Sequence, residues 1–176
     1  EHLNDTLATI ALLDSAINTF SKPYLKEAAP YLLTRAQTLH RYGQYRKAVF
    51  DYNEYEKLIA TGLTDQFYYI RFQSELKGHL FQQALNDISK AIEISPKNTL
   101  YYAEKASLEI RVNMLDEAIR SAKHCISIEP QNSDGYLFKG LALCLKGNKT
   151  EGIILLEKAK ELGDNQAQVL ISKYRG

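Results

Sequence analysis

Residues 101–132 read YYAEKASLEIRVNMLDEAIRSAKHCISIEPQN, and residues 67–98 read FYYIRFQSELKGHLFQQALNDISKAIEISPKN. Set one under the other at an offset of 34, they agree in several independent columns: Tyr68 with Tyr102, Ala84 with Ala118, Ala91 with Cys125, Pro96 with Pro130. The period continues forward to Tyr136, Gly152 and Ala159. It continues backward at an offset of 36, with Leu32, Ala36 and Ala48 standing before Tyr68, Phe72 and Ala84. Repetition at this length marks stacked supersecondary units, each too small to bury its apolar face alone. The copies run 29–64, 65–98, 99–132 and 133–166.

Inside a copy the apolar residues fall at helical spacing in two runs, as in Tyr102, Ala106, Ile110 and then Leu115, Ala118, Ile119, Ala122, Ile126. Each copy is therefore expected to be two helices, and the chain all-α. The turn between them is expected at Gly43, His79, Asn113 and Gly147, residue types that tolerate the positive φ of a helix-closing residue. Ser95-Pro96 and Glu129-Pro130 stop the second helix, because the residue before a proline is pushed out of helical geometry. Small residues at Ala36, Ala106 and Gly140, and at Ala48, Ala84, Ala118 and Gly152, let the paired helices approach closely.

These columns resemble the tetratricopeptide repeat (TPR), with a large residue early in helix A, a small one four on, a small one in helix B and a proline near the end. The resemblance covers roughly residues 29–174. It implies a right-handed superhelical solenoid of antiparallel helix pairs. Departures from the pattern are Tyr55 at a small position, Ala60 in place of the proline, Phe72 at a small position, and Gly163 as the stop of the fourth copy. The copies that carry Tyr55 and Phe72 are expected to pack at a changed angle. Residues 165–174, NQAQVLISKY, repeat the beginning of helix A, which assigns 167–176 as a C-terminal capping helix. Residues 1–28 hold an amphipathic helix (Leu7, Ile10, Leu13, Ile17, Phe20) ended by Ser21-Lys22-Pro23; it is either an N-terminal cap or a diverged repeat.

Composition narrows the function classes. Lys plus Arg number 22 against 21 Asp plus Glu, a net charge of +1, so no excess of either sign draws the chain to nucleic acid. No apolar run approaches the roughly 20 residues of a membrane span. Cys125 and Cys144 form no disulfide framework and no metal-ligand spacing. Unpaired thiols favour the cytoplasm, whereas a leader trimmed before Glu1 would place the chain in the periplasm or outside the cell, so the compartment stays open. Phosphate-binding glycine loops, nucleophile elbows and paired histidines on one helix face are all missing, so no catalytic residue, metal or cofactor is expected. Cys125 sits in a small-residue column and reads as core, while Cys144 falls in a column of the inner surface.

In the family that the repeats resemble, helix A lines the concave face. That resemblance puts Gln37, His40 and Arg41, then Tyr69, Gln73 and Lys77, then Ser107, Ile110 and Arg111 in a peptide-binding groove, whose last copy, with Leu137 and Leu141, is apolar and open to cover by the C-terminal helix. Arg41, Lys77 and Arg111 share one column and form a basic ladder suited to an acidic peptide or protein, each also complementing the dipole of its helix. Chaperone-binding relatives hold a carboxylate with Lys, Asn and Arg at places filled here by Leu33, Gln37, Ile70, Leu100 and Glu104, so that clamp is not expected. A second basic column, Arg35, Arg71, Lys105 and Lys139, is placed to pair with Asp51 and Asp87 on the B helices and, four residues on, with Glu75 and Glu109. Of the 12 tyrosines, Tyr68, Tyr102 and Tyr136 are expected in the core. Tyr42, Tyr45, Tyr52 and Tyr55 cluster in the first copy, some packing against the N-terminal helix and one or two left for a partner. The reading is a protein-interaction scaffold; the alternative is a sensor or docking arm of a larger regulatory protein whose effector part lies outside this chain. Oligomeric state is not legible.

Overall fold

Helical periodicity governs the whole chain. A computed structural model describes residues 2–20, 24–59 and 61–175, and among them are ten α-helices and no strand. The expected stop at Ser21-Lys22-Pro23 and the Ala60 departure lie outside the described residues, as does Gly176. The helices are α1 (His2–Thr19), α2 (Ala29–Arg41), α3 (Tyr45–Ile59), α4 (Asp65–Lys77), α5 (Phe81–Ile94), α6 (Thr99–Arg111), α7 (Leu115–Ile128), α8 (Ser133–Leu145), α9 (Lys149–Glu161) and α10 (Asn165–Arg175). A short 3-10 helix, Tyr24–Ala28, leads into α2, which carries Pro30 in its first turn where no donor is needed.

The helix-closing column behaves as its chemistry requires. Gly43, His79, Asn113, Gly147 and Gly163 have φ of 77°, 60°, 63°, 94° and 97°. In each case the next residue's N–H reaches back five residues to a carbonyl, as Met114 to Glu109 at 2.7 Å, while the left-handed residue bonds three back, as Asn113 to Ile110 at 3.0 Å. This double bond pattern satisfies two carbonyls that the helix end leaves open. Helix starts are sealed by side chains: Thr64 Oγ1 accepts from Phe67 N, Asn98 Oδ1 from Leu100 N and Asn132 Oδ1 from Gly135 N.

The chain divides into two compact units, residues 1–87 and 88–176, with the division inside α5. In the first, α2 packs on α3, α1 lies on α2, and α4 follows α3. Its core gathers Ala36, Leu39, Ala48, Tyr52 and Phe67, with Ile10 of α1 and Leu33, Tyr55 and Ile70 at the edge. Phe72, at a position expected to be small, is fully buried and stacks on Tyr69, ring centroids 5.9 Å apart. In the second unit α6 packs on α7, α8 on α7 and α9, and α10 on α9. The crossing of α8 on α9 is close: a Cβ on Gly140 would lie 2.8 Å from the Gly152 carbonyl oxygen. There α10 covers the apolar face of α8 with Ala167 and Ile171 against Leu137, Cys144, Leu156 and Ala159. Among the described residues no helix is long and apolar enough to cross a membrane.

Three local expectations change. Tyr68, Tyr102 and Tyr136 are half-buried and not fully enclosed: Tyr68 and Tyr136 pack against the core clusters, and all three hydroxyls reach acceptors. Tyr102 donates to the Pro96 carbonyl and Tyr136 to the Pro130 carbonyl, both at 3.2 Å, so the tyrosine column and the proline column bond to each other. Cys144 is buried, packed against Gly152 of α9, and lines no open surface. Burial raises the pKa of both thiols, that of Cys125 to about 11, and keeps them protonated. Lys105 bonds Ser89 Oγ at 3.0 Å, while Glu109 accepts from Ser121 Oγ at 2.7 Å.

Candidate peptide-binding site

The two basic columns of the A helices have different fates. Arg35 and Arg71 turn toward the B helices, where each makes a two-pronged bond to an aspartate sixteen residues on. Arg35 bonds both Asp51 oxygens at 2.7 Å, and Arg71 bonds Asp87 at 2.5 and 2.9 Å. The antiparallel hairpin sets this register, and planar guanidinium meets carboxylate in the geometry that suits both. Arg71 adds Asn53 at 3.0 Å and Glu56 at 2.6 Å, and its guanidinium lies 5.2 Å from the Phe67 ring centroid. Arg35 adds Asp14 of α1, which ties the N-terminal helix to the first pair. The carboxylates raise the pKa of both arginines, so both stay charged.

The other column stays free of such partners in the first unit. Arg41 and Lys77 end α2 and α4, are exposed, and enter no ion pair among the described residues. Lys77 lies over the Tyr45 ring, 5.5 Å from its centroid. His40 is half-buried, with Nδ1 2.7 Å from Ser74 Oγ and its ring edge-on to Tyr45 at 5.5 Å. Burial, reinforced by Lys77, lowers the His40 pKa, so the ring is neutral near pH 7. Gln37 is exposed, and Tyr69 and Gln73 are half-buried. A cleft of about 360 Å³ at the helix-turn edge is lined by Lys77 together with Arg46, Lys47 and His79 and by no acidic residue.

In the second unit Ser107 and Ile110 are half-buried on α6 and Arg111 is exposed at its end. The clamp positions Leu33, Gln37 and Ile70 are uncharged walls of a cavity in the first unit, a feature that linear spacing does not reveal. Among the described residues no group of three or more His, Cys, Asp or Glu is arranged to hold a metal ion.

No protein-family model matches the chain. It is 30% identical over 95 residues to small glutamine-rich tetratricopeptide repeat-containing protein 2 of Saccharomyces cerevisiae, a match over 53% of this chain and 28% of that protein. Among solved structures, YrrB, described as a TPR protein with an unusual peptide-binding site, superposes with TM-score 0.79 at 17% identity, over 98% of this chain and 86% of that one. MamA superposes with TM-score 0.74 at 20% identity, over 95% and 94%. The class is thus an all-α repeat protein of the solenoid kind. Its fold is that of tetratricopeptide-repeat proteins, and the chain spans about a quarter of the length of the curated relatives it matches.

Proposed function

We propose that this chain is a protein-interaction scaffold, not an enzyme, and that it binds an acidic peptide or a protein segment carrying one. The observation that carries the reading is the contrast between the two basic columns. Arg35 and Arg71 are consumed by carboxylates of the chain, whereas Arg41 and Lys77 are exposed and unpaired among the described residues. An unpaired cation at a helix C-terminus has a favourable dipole environment of about 0.3–1 kcal/mol and remains available to a partner's carboxylate. Gln37, His40, Tyr69 and Gln73 adjoin them on the same helices and offer hydrogen bonds and apolar area. Arg111, with Ser107 and Ile110, extends the reading by its place in the same sequence column. The peptide-binding description of the structural relative YrrB supports a peptide as the ligand.

Selection of a random peptide library on the chain tests this. Enriched peptides should be acidic, and their affinity should fall with added salt because exposed charges are screened beyond roughly 10 Å at 0.1 M. Reversing Arg41, Lys77 and Arg111 together to Glu should abolish the enrichment and leave the helical dichroism in place. An unchanged selection by the triple variant would show that the column is structural.

A further inference from the structure

In the first unit the turns that close α2 and α4 flank the start of α3, and a cleft of about 360 Å³ opens there. Arg46, Lys47, Lys77 and His79 line it, and no acidic residue does. Three formal positive charges thus share one cleft in a chain whose net charge is only +1, so the concentration is local and does not follow from a basic chain. Arg46 is held in place: its Nε donates to the Gly78 carbonyl at 3.1 Å, which leaves both Nη groups without a partner among the described residues. Lys77 lies over the Tyr45 ring, 5.5 Å from its centroid. Lys47 and Lys77 are exposed and enter no ion pair among the described residues. Arg46 and Lys77 belong to successive repeats, so their charges come together only when the first two copies stack. Like charges gathered without a counter-charge repel one another, and a bound anion relieves that cost.

We propose that this cleft takes the phosphate group of a phosphorylated side chain in a bound peptide. A carboxylate brings one charge and two oxygens, whereas a phosphate monoester brings about −1.5 to −2 charges at pH 7 and three acceptor oxygens. The phosphate therefore offsets more of the cleft's charge. It offers a pair of oxygens to the Nη fork of Arg46 and a third to the ammonium of Lys47 or Lys77. Nucleic acid and membrane surfaces fit less well: they spread phosphates over a wide face, whereas these cations are gathered in one cleft on a nearly neutral chain. The inference rests on the acidic-peptide reading in taking the ligand to be a peptide, and it shares Lys77 with that reading. Arg46 and Lys47 belong to the phosphate site alone.

The probe is a pentapeptide with phosphoserine at its centre and glycine on either side, capped at both ends, together with its glutamate and serine counterparts. Each is titrated into the chain while the backbone amide signals of Gly43, Gly78 and His79 are followed by nuclear magnetic resonance. The phosphoserine peptide should shift these signals and bind about tenfold more tightly than the glutamate peptide, and the serine peptide should leave them in place. Excess inorganic phosphate should displace it. Arg46→Gln should bring the phosphoserine peptide down to the affinity of the glutamate peptide. Lys47→Gln, at an exposed position with no partner in the fold, should weaken phosphoserine binding and keeps the test decisive should Arg46→Gln disturb the turn at Gly78. Reversal of Arg41 and Arg111 to Glu lies outside the cleft and should keep the preference for phosphoserine, so failure of the acidic-peptide selection and failure of the phosphate site are read separately. Equal affinity for the phosphoserine and glutamate peptides, shifts confined to residues outside the cleft, or unchanged phosphoserine binding in both Arg46→Gln and Lys47→Gln would each overturn the proposal. So would a chain that ignores the peptide yet is retained by phosphatidylcholine vesicles carrying phosphatidylinositol phosphate, a result that would make the cleft a lipid site.

Discussion

Arg71→Met isolates the contribution of the buried ion pairs to the first unit. The side chains of Arg71 and Asp87 are each 4% exposed. The substitution deletes two bonds to Asp87, one to Asn53 and one to Glu56. Charge-assisted bonds contribute about 1.5–3 kcal/mol each, but their sum overstates the net effect because both ions lost water on burial. What decides the outcome is the carboxylate left behind: Asp87 would remain buried and charged without its guanidinium. Orphaned buried charges of this kind cost about 3–5 kcal/mol. Urea unfolding followed by far-ultraviolet dichroism should show that loss as a lowered midpoint at an unchanged slope. Adding Asp87→Leu should recover only part of it, because Glu75, 4.0 Å from Arg71 and also 4% exposed, still loses its guanidinium. Arg35→Met should cost a similar amount, since it leaves Asp51, whose side chain is 2% exposed, without its two-pronged partner, while the bond to Asp14, 49% exposed, adds little. A loss below about 1 kcal/mol for Arg71→Met, the range of surface pairs, would refute the reasoning.

Further outcomes follow from other parts of the molecule. Gly152→Ala drives a Cβ into Cys144 Sγ and to 2.7 Å from the Gly140 carbonyl oxygen, so it should cost about 1–3 kcal/mol, measured by urea unfolding. Deleting residues 165–176 removes Ala167 and Ile171 from the cluster that holds Leu137 and Leu156 and should produce self-association in sedimentation; a stable monomer would show that α10 covers nothing essential. Burial raises the Glu109 pKa against the bond from Ser121. An acid whose pKa is raised on folding stabilises the fold fully below its unfolded pKa, and that stability is lost as pH rises through the folded value. Glu109→Gln should therefore leave stability at neutral pH equal or higher and flatten the pH profile just above the ordinary carboxylate range. An unaltered profile would disprove the assignment.

Much of this molecule is legible in its sequence because the determinants are local. Gly43, His79, Asn113, Gly147 and Gly163 close helices by tolerating positive φ, a property of the residue and not of its surroundings. The pairing of Arg35 with Asp51 and of Arg71 with Asp87 was also readable, since a helix hairpin of known period fixes which columns face each other. The basic columns could be listed from sequence, but not their division into spent and available cations, which depends on which way each helix is rotated toward its neighbours. Tertiary packing alone decided that the Tyr102 and Tyr136 hydroxyls bond the Pro96 and Pro130 carbonyls, that Lys105 takes Ser89, and that Cys144 is buried against Gly152. It also decided that Tyr52 buries its hydroxyl without an acceptor beside an uncharged cavity. Spacing along the chain specifies faces, whereas the burial of a single atom depends on side chains contributed by three helices at once.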